Sequence, residues 1–182
     1  PTLTAVIELE TGPPQVTVAA LPTNDPTPTL TGTVDDPAAS IDVEIAGTHY
    51  TATVTDDTWS ADVTTSLADD NYDVVVTATD VNGNDGFDST TDELTIDTTP
   101  PAVTVDTLAT NDSAPVLTGT VDTSAVSLDI QVDSQSLSPV ITGTAWEAQV
   151  PSALSDNTYN VIATAADALG NSATDSTSGE LT

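Results

Sequence analysis

The chain has 182 residues, of which 29 are Asp or Glu and none is Lys, Arg or Cys, so its formal charge at pH 7 is −29. A surface without Lys or Arg cannot neutralise phosphates, which excludes nucleic acids and anionic membranes as partners and leaves P-loop chemistry without its lysine. Disulfides, zinc–thiolate sites and thiol nucleophiles are excluded as well, whereas an apolar fraction of 37% is enough to form a folded core.

Apolar residues alternate with polar ones in the first half of the chain, as in half-buried β-strands. In chain order the predicted strands cover residues 16–18, 30–34, 41–45, 49–54, 59–63, 72–78 and 94–96. Clusters of Pro, Gly, Asn and Asp separate these segments, and no helical period competes with them. About seven short strands of this kind predict an all-β fold, an antiparallel immunoglobulin-like sandwich.

Tyr72 opens the longest predicted strand, directly after a turn-rich segment. In immunoglobulin-like domains a tyrosine at the start of strand F stands two residues before a buried cysteine and forms the tyrosine corner. Val74 occupies the cysteine position here. The spacing therefore predicts that Tyr72 is the corner tyrosine of such a sandwich.

The sequence repeats itself at an offset of 87 residues without gaps, as shown by Leu-Thr-Gly-Thr-Val-Asp at 30–35 and 117–122. Further pairs at the same offset are Trp59 and Trp146, Tyr72 and Tyr159, and Asp80 and Asp167. We therefore predict two tandem sandwiches, residues 13–98 and 99–182, preceded over residues 1–12 by the tail of an earlier copy or a linker to it. Residues 46–58 diverge almost completely from residues 133–145, which indicates an edge region.

Acidic turns are expected to gather at the ends of each sandwich, where neighbouring repeats would face each other. The residues expected at the junction are Asp25, Asp69, Asp70, Asp97, Asp122, Asp167 and Asn171. Two bare carboxylates about 4 Å apart repel each other by roughly 1 kcal/mol in water. Ca²⁺ binds six to eight oxygens, and a Ca²⁺ ion between the carboxylates turns this repulsion into a net attraction. We therefore predict Ca²⁺ at this junction, with Pro100 and Pro101 stiffening the hinge.

The predicted loop at residues 80–85 places oxygen-bearing side chains at alternate positions, namely Asp80, Asn82 and Asn84. This pattern resembles the start of a calcium loop, but it is also ordinary turn chemistry, and both interpretations stay open. The second repeat keeps Asp167 and Asn171 but has Leu169 in place of Asn82, so fewer side-chain ligands are expected there. The other candidate ligands in turns are Asp35, Asp36 and Asp112.

These motifs, together with the run Glu-Leu-Thr-Ile-Asp-Thr-Thr-Pro-Pro at 93–101, resemble the bacterial Ig-like repeats of giant secreted adhesins, including RTX-type adhesins. The resemblance covers essentially the whole chain. It implies extender domains at the bacterial cell surface that hold adhesive tips away from the cell, as in biofilms, and that calcium rigidifies. It also implies ligand roles for Asp25, Asp80, Asn84, Asp97 and the copies Asp112, Asp167 and Asn171.

Several residues also have simpler interpretations. His49 is the sole histidine and has Ser136 as its counterpart, so we expect a solvent-facing strand residue rather than a nucleophile or metal ligand. Trp59 and Trp146 alternate in phase with Ala and Val, which favours core packing over sugar stacking. A glycosidase pair at residues 35–36 is disfavoured because no cleft is indicated. Acidity of this kind is also typical of proteins from saline habitats.

The sequence thus predicts a non-enzymatic, monomeric extender of a large secreted adhesin whose partners are neighbouring repeats of the same chain. No nucleic acid is expected as a partner, and no membrane insertion, since no apolar run approaches about 18 residues. The alternative is a module that binds a glycan, a surface or ice on one sandwich face. Divergence of residues 46–58 supports it, and it should show an exposed aromatic or a regular threonine array. A third hypothesis is the accessory sandwich of a secreted hydrolase.

Overall fold

The computed structural model describes residues 12–175 and 177–182, and the chain divides into a first unit that ends at Asp97 and a second that begins at Thr98. The tail predicted over residues 1–12 lies, apart from Gly12, outside the described residues. No helix among the described residues is long and apolar enough to cross a membrane. Both units are built from β-strands and turns, as the alternating sequence predicts.

Over its described residues, 12–97, the first unit contains eleven strands in three hydrogen-bonded groups with orders β1-β3-β7-β6, β10-β9-β4-β5 and β2-β11-β8. Neighbouring strands are antiparallel, except that β2 runs parallel to β11. The strands are β1 (Val16–Val18), β2 (Leu21–Thr23), β3 (Thr29–Val34), β4 (Ser40–Ile45), β5 (Thr48–Thr51), β6 (Thr53–Thr55), β7 (Thr58–Asp62), β8 (Asp70–Tyr72), β9 (Val75–Thr79), β10 (Asp85–Phe87) and β11 (Leu94–Ile96).

The second unit repeats this arrangement, with sheet orders β12-β13-β17-β16 and β15-β14-β18-β19. Single bridges from Leu181 to Leu108 (parallel) and Tyr159 (antiparallel) replace the group β2-β11-β8. The strands are β12 (Val103–Val105), β13 (Val116–Val121), β14 (Ser127–Val132), β15 (Gln135–Leu137), β16 (Val140–Thr142), β17 (Ala145–Gln149), β18 (Val161–Ala166) and β19 (Ser172–Thr174). The predicted fold class, two tandem antiparallel sandwiches, is confirmed.

Each unit has its own core, formed by every second residue of the strands. In β3, Leu30 and Val34 are buried while the threonines between them are exposed, and β4 alternates in the same way. Trp59 and Trp146 are each only 1% exposed, so the prediction that both are core residues is confirmed. Burial of an aliphatic side chain of this size contributes about 1.5–3 kcal/mol, so the alternation itself selects which sheet face turns inward.

Two predicted strands are interrupted, and two strands were missed. The segment 49–54 divides at Ala52 into β5 and β6, which lie at the edges of different sheets, so the expected edge region is confirmed. The segment 72–78 divides into β8, which pairs with β11, and β9, which pairs with β4 and β10. Sequence reasoning missed β2 and β10 because Pro22 lacks an amide donor and Asp85-Gly86 is typical of a turn.

The glycine of the repeated Leu-Thr-Gly-Thr-Val-Asp motif makes room for the buried tryptophan. A Cβ on Gly32 would lie 1.9 Å from the Thr17 carbonyl oxygen and 2.5 Å from the Trp59 indole nitrogen. That indole nitrogen donates a hydrogen bond of 3.0 Å to the same Thr17 carbonyl. The second unit repeats the contact with Gly119, Trp146 and Thr104. The motif therefore encodes a fixed position of the indole ring over strands β1 and β3.

The tyrosine corner is present in both units. The Tyr72 hydroxyl donates to the Ala68 carbonyl at 3.0 Å, and the Tyr159 hydroxyl donates to the Ser155 carbonyl at 2.9 Å. Val74, at the position of the cysteine, is buried. The role predicted for Tyr72 is therefore confirmed.

A buried glutamate lies beside each tyrosine corner. One carboxylate oxygen of Glu93 accepts the Val74 amide at 3.0 Å, and Glu180 accepts the Val161 amide at the same distance. In both side chains the other oxygen is buried and has no hydrogen-bond partner among the described residues. Each glutamate therefore supplies an acceptor for a backbone amide at the start of a central strand, where the hydrogen-bond ladder between strands is interrupted.

Candidate functional site

The turn between β9 and β10 holds three of the predicted ligands. Asp80 is 6% exposed, and one of its carboxylate oxygens accepts the amides of Asn82 and Asn84 at 2.8 Å each. Its other oxygen accepts the Asn84 side-chain amide at 2.7 Å. Gly83 allows the chain to reverse with a φ of 85°. The carboxylate is thus enclosed by donors from its own loop.

The second unit builds the same turn without an asparagine at the middle position. Asp167 accepts the amides of Leu169 and Asn171 at 2.9 Å each, and its other oxygen accepts the Asn171 side-chain amide at 2.9 Å. Leu169 takes part through its backbone alone, so the turn does not need the Asn82 side chain. Because three N–H groups point at each aspartate, a calcium ion within either loop would have to displace them. This arrangement favours the interpretation of both loops as structural turns.

Hydrogen bonds also set the charge state of these two aspartates. The Asn84 backbone and side-chain amides, with a further contribution from Asn82, lower the pKa of Asp80 against an opposing effect of desolvation. The Asn171 side-chain amide is the largest cause of a lowered pKa of Asp167, and desolvation again opposes it. Both carboxylates are therefore held in the charged form by donors that exist only in the folded turn.

The lowered pKa values of Asp80 and Asp167 predict a pH dependence of stability. Their contribution is fully present above the unfolded pKa, near 3.8, and is lost as the pH falls through the lower folded pKa. In thermal melts at pH 5 and pH 2.5, the double variant Asp80→Asn/Asp167→Asn should lose less melting temperature on acidification than the parent chain. Asp57→Asn, at an exposed position, should lose as much as the parent. Equal losses for all three proteins would contradict the expectation.

Four exposed aspartates each accept a backbone amide through one carboxylate oxygen, while the other oxygen has no hydrogen-bond partner in the described parts of the chain. The contacts are Asp25 to the Thr27 amide, Asp35 to the Gln15 amide, Asp112 to the Ala114 amide and Asp122 to the Ala102 amide, over 2.7–3.0 Å. An exposed oxygen on a fixed side chain suits a hard cation such as Ca²⁺. Asp36 is different, because it is buried and accepts the Ala38 amide within its own turn.

The end of the second unit shows how the acidic turns come together. A cavity of about 180 Å³ is lined by Asp112 and Asp156, which stand 87 residues after Asp25 and Asp69. The turns before β13 and after β17 therefore meet at one end of the sandwich, as the topology predicts. In the first unit Asp69 is exposed, and the Asp97 amide donates to the Thr23 carbonyl at 3.0 Å. Among the residues that the structure describes, no three His, Asp or Glu side chains are grouped so that they could hold a metal ion.

His49 lies on the exposed face of β5 and has a 60% exposed side chain, so the expected solvent-facing position is confirmed. Its Nδ1 lies 2.7 Å from a carboxylate oxygen of Asp42 on the neighbouring strand β4. The hydrogen bond and charge of Asp42 raise the pKa of His49, with a smaller effect of Glu44. The pairing of β4 with β5 places His49 opposite Glu44 and diagonal to Asp42.

Sequence comparison matches the family model described as bacterial Ig-like domain twice, over residues 19–98 and 102–182. The chain belongs to the bacterial Ig-like domain family. The two bacterial Ig-like domains therefore stand in tandem, and domains of this family and fold are typically non-catalytic. Among curated proteins, none matches the chain.

Solved structures support the fold. The chain is similar to the I-band fragment I67–I69 of titin, with a TM-score of 0.63 and 14% identity, and to a Glu-to-Ala variant of the same domains, with a TM-score of 0.60 and 15% identity. Each match covers 94% of this chain, which spans 66% of the titin fragment. At this identity the similarity shows the immunoglobulin fold of the bacterial Ig-like domains and nothing of their role.

Proposed function

We propose that the chain is a non-enzymatic extender of a large secreted bacterial adhesin, acting at the bacterial cell surface. The observation that carries this proposal is the tandem repetition of one bacterial Ig-like domain with the same strands, buried tryptophan and tyrosine corner in both copies. Residues 97–102 alone separate β11 from β12, and two of them are prolines. A series of small sandwiches with short proline linkers suits a protein that must span distance.

Charge supports a role for calcium in this extender. With 29 acidic residues and no Lys or Arg, neighbouring repeats repel each other unless cations are present. We therefore propose that Ca²⁺ binds carboxylates from the turns of adjacent repeats near the linker and rigidifies the series. Asp25 and Asp122 support this because each has one carboxylate oxygen without a hydrogen-bond partner among the described residues, and Asp69 and Asp97 supply further carboxylates. The turns of Asp80 and Asp167 do not need the metal, because their own amides satisfy them.

Small-angle scattering and thermal melting of the whole chain test the extender. With Ca²⁺ in the millimolar range, the maximum dimension should increase and the melting temperature should rise, because a ligand at about 100 times its Kd stabilises the folded state by about 2.7 kcal/mol. Chelation should reverse both changes. The variant Asp25→Asn/Asp97→Asn should respond less than Asp57→Asn.

Mg²⁺ at the same concentration is the control for general screening of charge. It should reproduce only a small part of the calcium effect, since it prefers a strict octahedral shell and retains water. Identical curves in Ca²⁺, Mg²⁺ and chelator would refute the calcium proposal and leave the family assignment unaffected.

A further inference from the structure

The outer face of the sheet β1-β3-β7-β6 in the first repeat carries a regular set of hydroxyl groups. We call this set the hydroxyl face; all its members are exposed, and they are Thr31, Thr33, Thr53, Thr55, Thr58 and Ser60. Strand pairing arranges them in two rows, Thr33-Thr58-Thr55 and Thr31-Ser60-Thr53. Neighbours are about 4.8 Å apart across the strands, and the rows are about 6.7 Å apart along them.

Most of these hydroxyl groups are available to a ligand. Thr33 shares a hydrogen bond with Thr17, and Thr58 donates to the Thr55 carbonyl. Within the described residues, the side-chain hydroxyls of the other four members make no hydrogen bond to the protein. A bound molecule therefore replaces only water at these four hydroxyls and breaks no hydrogen bond within the described protein.

Two adjoining open cavities lie along this face. One, of about 420 Å³, is lined by the hydroxyl face together with Ala19, Gly32 and Trp59. The other, of about 400 Å³, shares Thr53 and Ser60 with it and is bounded further by His49, Tyr50 and Asp62. Together they form one trough over strands β6 and β7. Volumes of this size are in the range of small-molecule sites.

Tyr50 provides an independent observation that favours a binding site over an ordinary solvated surface. This residue lines the second cavity and is only 7% exposed, and its buried hydroxyl has no hydrogen-bond partner among the described residues. An unpaired buried hydroxyl lowers stability, so packing alone does not account for it. The second repeat has Leu137 at the same position, which shows that the scaffold accepts an apolar residue there.

Charge limits the kind of ligand. The cavity over the hydroxyl face has no acidic side chain in its lining, although the chain carries 29 acidic residues, and Asp62 is the sole acid in the lining of the second cavity. The field of the whole protein repels anionic ligands, while a neutral polyol meets matching donors and acceptors. Ice would need a flat lattice, whereas neighbouring strands of a sheet are rotated by about 20–25°.

From these observations we propose that the trough on the first repeat binds an uncharged saccharide. Sugar hydroxyls replace water at the hydroxyl face, the Asp62 carboxylate accepts one of them, and the Tyr50 hydroxyl obtains its missing partner in the bound state. The repeat then carries adhesion chemistry in addition to its role as an extender.

The second repeat has the same scaffold without the site. Its counterparts of Thr53, Thr58 and Ser60 are Val140, Ala145 and Glu147, and the pairing Val140 to Glu147 matches that of Thr53 to Ser60. The divergence between residues 46–58 and 133–145 therefore falls on the strands that form the trough. The proposal therefore assigns saccharide binding to the first repeat and a purely structural role to the second.

The test uses the full chain on an array of neutral hexose oligosaccharides beside sialylated and uronic-acid oligosaccharides, followed by calorimetric titration of the bound neutral sugars. The parent chain should bind neutral members and no acidic ones. Thr53→Val/Ser60→Glu, which installs the residues of the second repeat, should weaken binding by about tenfold or more, and Thr53→Val/Ser60→Ala should weaken it without added charge. Thr142→Val, on the corresponding face of the second repeat, should bind like the parent.

Tyr50→Phe separates a binding role from a packing role. It should raise the melting temperature and weaken saccharide binding, whereas a residue that only packs would raise the melting temperature alone. The proposal is overturned if no neutral saccharide binds at millimolar concentration, if the substitutions at Thr53 and Ser60 leave binding intact, or if Tyr50→Phe binds like the parent. Inhibition of ice growth without saccharide binding would overturn it in favour of an ice-binding face.

Discussion

Replacing Gly32 by alanine should destabilise the first repeat by about 3 kcal/mol or more, because the added methyl group has no room between strand β1 and the buried indole. The new Cβ would lie 1.9 Å from the Thr17 carbonyl oxygen and 2.5 Å from the Trp59 indole nitrogen. Neither neighbour can yield easily, because Thr17 belongs to a paired strand and the buried indole is hydrogen-bonded to its carbonyl. Relief would require separation of β1 from β3 or removal of the indole from the core.

Denaturant unfolding followed by tryptophan fluorescence measures this loss. Gly119→Ala should have a similar effect in the second repeat, since its Cβ would lie 2.0 Å from the Thr104 carbonyl oxygen. Gly12→Ala is the matched control, because no heavy atom of the described residues lies within 4 Å of its added Cβ. A Gly32→Ala chain as stable as Gly12→Ala would show that the indole and β1 can shift, and the account of the motif would be wrong.

Glu180→Ala should destabilise the second repeat by about 2–4 kcal/mol at neutral pH. The side chain is 2% exposed and accepts the Val161 amide at 3.0 Å, so truncation leaves a buried donor unpaired and opens a cavity. Desolvation alone would raise the pKa of Glu180, but hydrogen bonds from the Val161 amide, the Thr177 hydroxyl and its own amide outweigh it and lower the pKa. The charged carboxylate is therefore the stabilising form, and its contribution is lost as the pH falls through the folded pKa.

The conservative variant separates the acceptor from the charge. Glu180→Gln keeps an oxygen for the Val161 amide and should cost no more than about 1 kcal/mol. Glu147→Ala, at an exposed position on β17, should change the free energy of unfolding by no more than about 0.5 kcal/mol. Melting curves of the three variants distinguish the two causes. Equal destabilisation by Ala and Gln at position 180 would mean that the negative charge of Glu180 stabilises the repeat, and not its hydrogen bond to Val161.

The repeat and its alternating pattern predicted most of the fold, because both act locally along the chain. Alternation identifies which residues of β3, β4 and β7 turn inward, and spacing alone identified Tyr72 as the corner tyrosine. The pattern gave no sign of β2 and β10, since Pro22 and Gly86 are typical of turns and became strand residues through partners far away in the sequence. Strand existence there is decided by pairing and not by propensity.

The candidate sites were less accessible to sequence reasoning. The acidic residues pointed to calcium chemistry, but whether an aspartate offers an oxygen to an ion depends on the amides around it. Asp80 is enclosed by three donors of its own turn, whereas one oxygen of Asp25 has no partner within the part of the chain that the structure describes. In the sequence both are simply Asp-x-polar turns. The hydroxyl face was anticipated only as a threonine array that a binding module should show, without its residues.

By itself the sequence determined the class of fold, the two tandem units, the buried tryptophans and the acidic surface, because composition, alternation and an internal repeat at a constant offset do not depend on distant contacts. The tertiary structure alone decided that Gly32 makes room for an indole ring, that Glu93 and Glu180 accept buried amides, and that the buried Tyr50 hydroxyl has no hydrogen-bond partner among the described residues. Each of these facts is either a contact between residues 15 to 27 positions apart or the absence of a hydrogen-bond partner, and the order of the amino acids states neither directly.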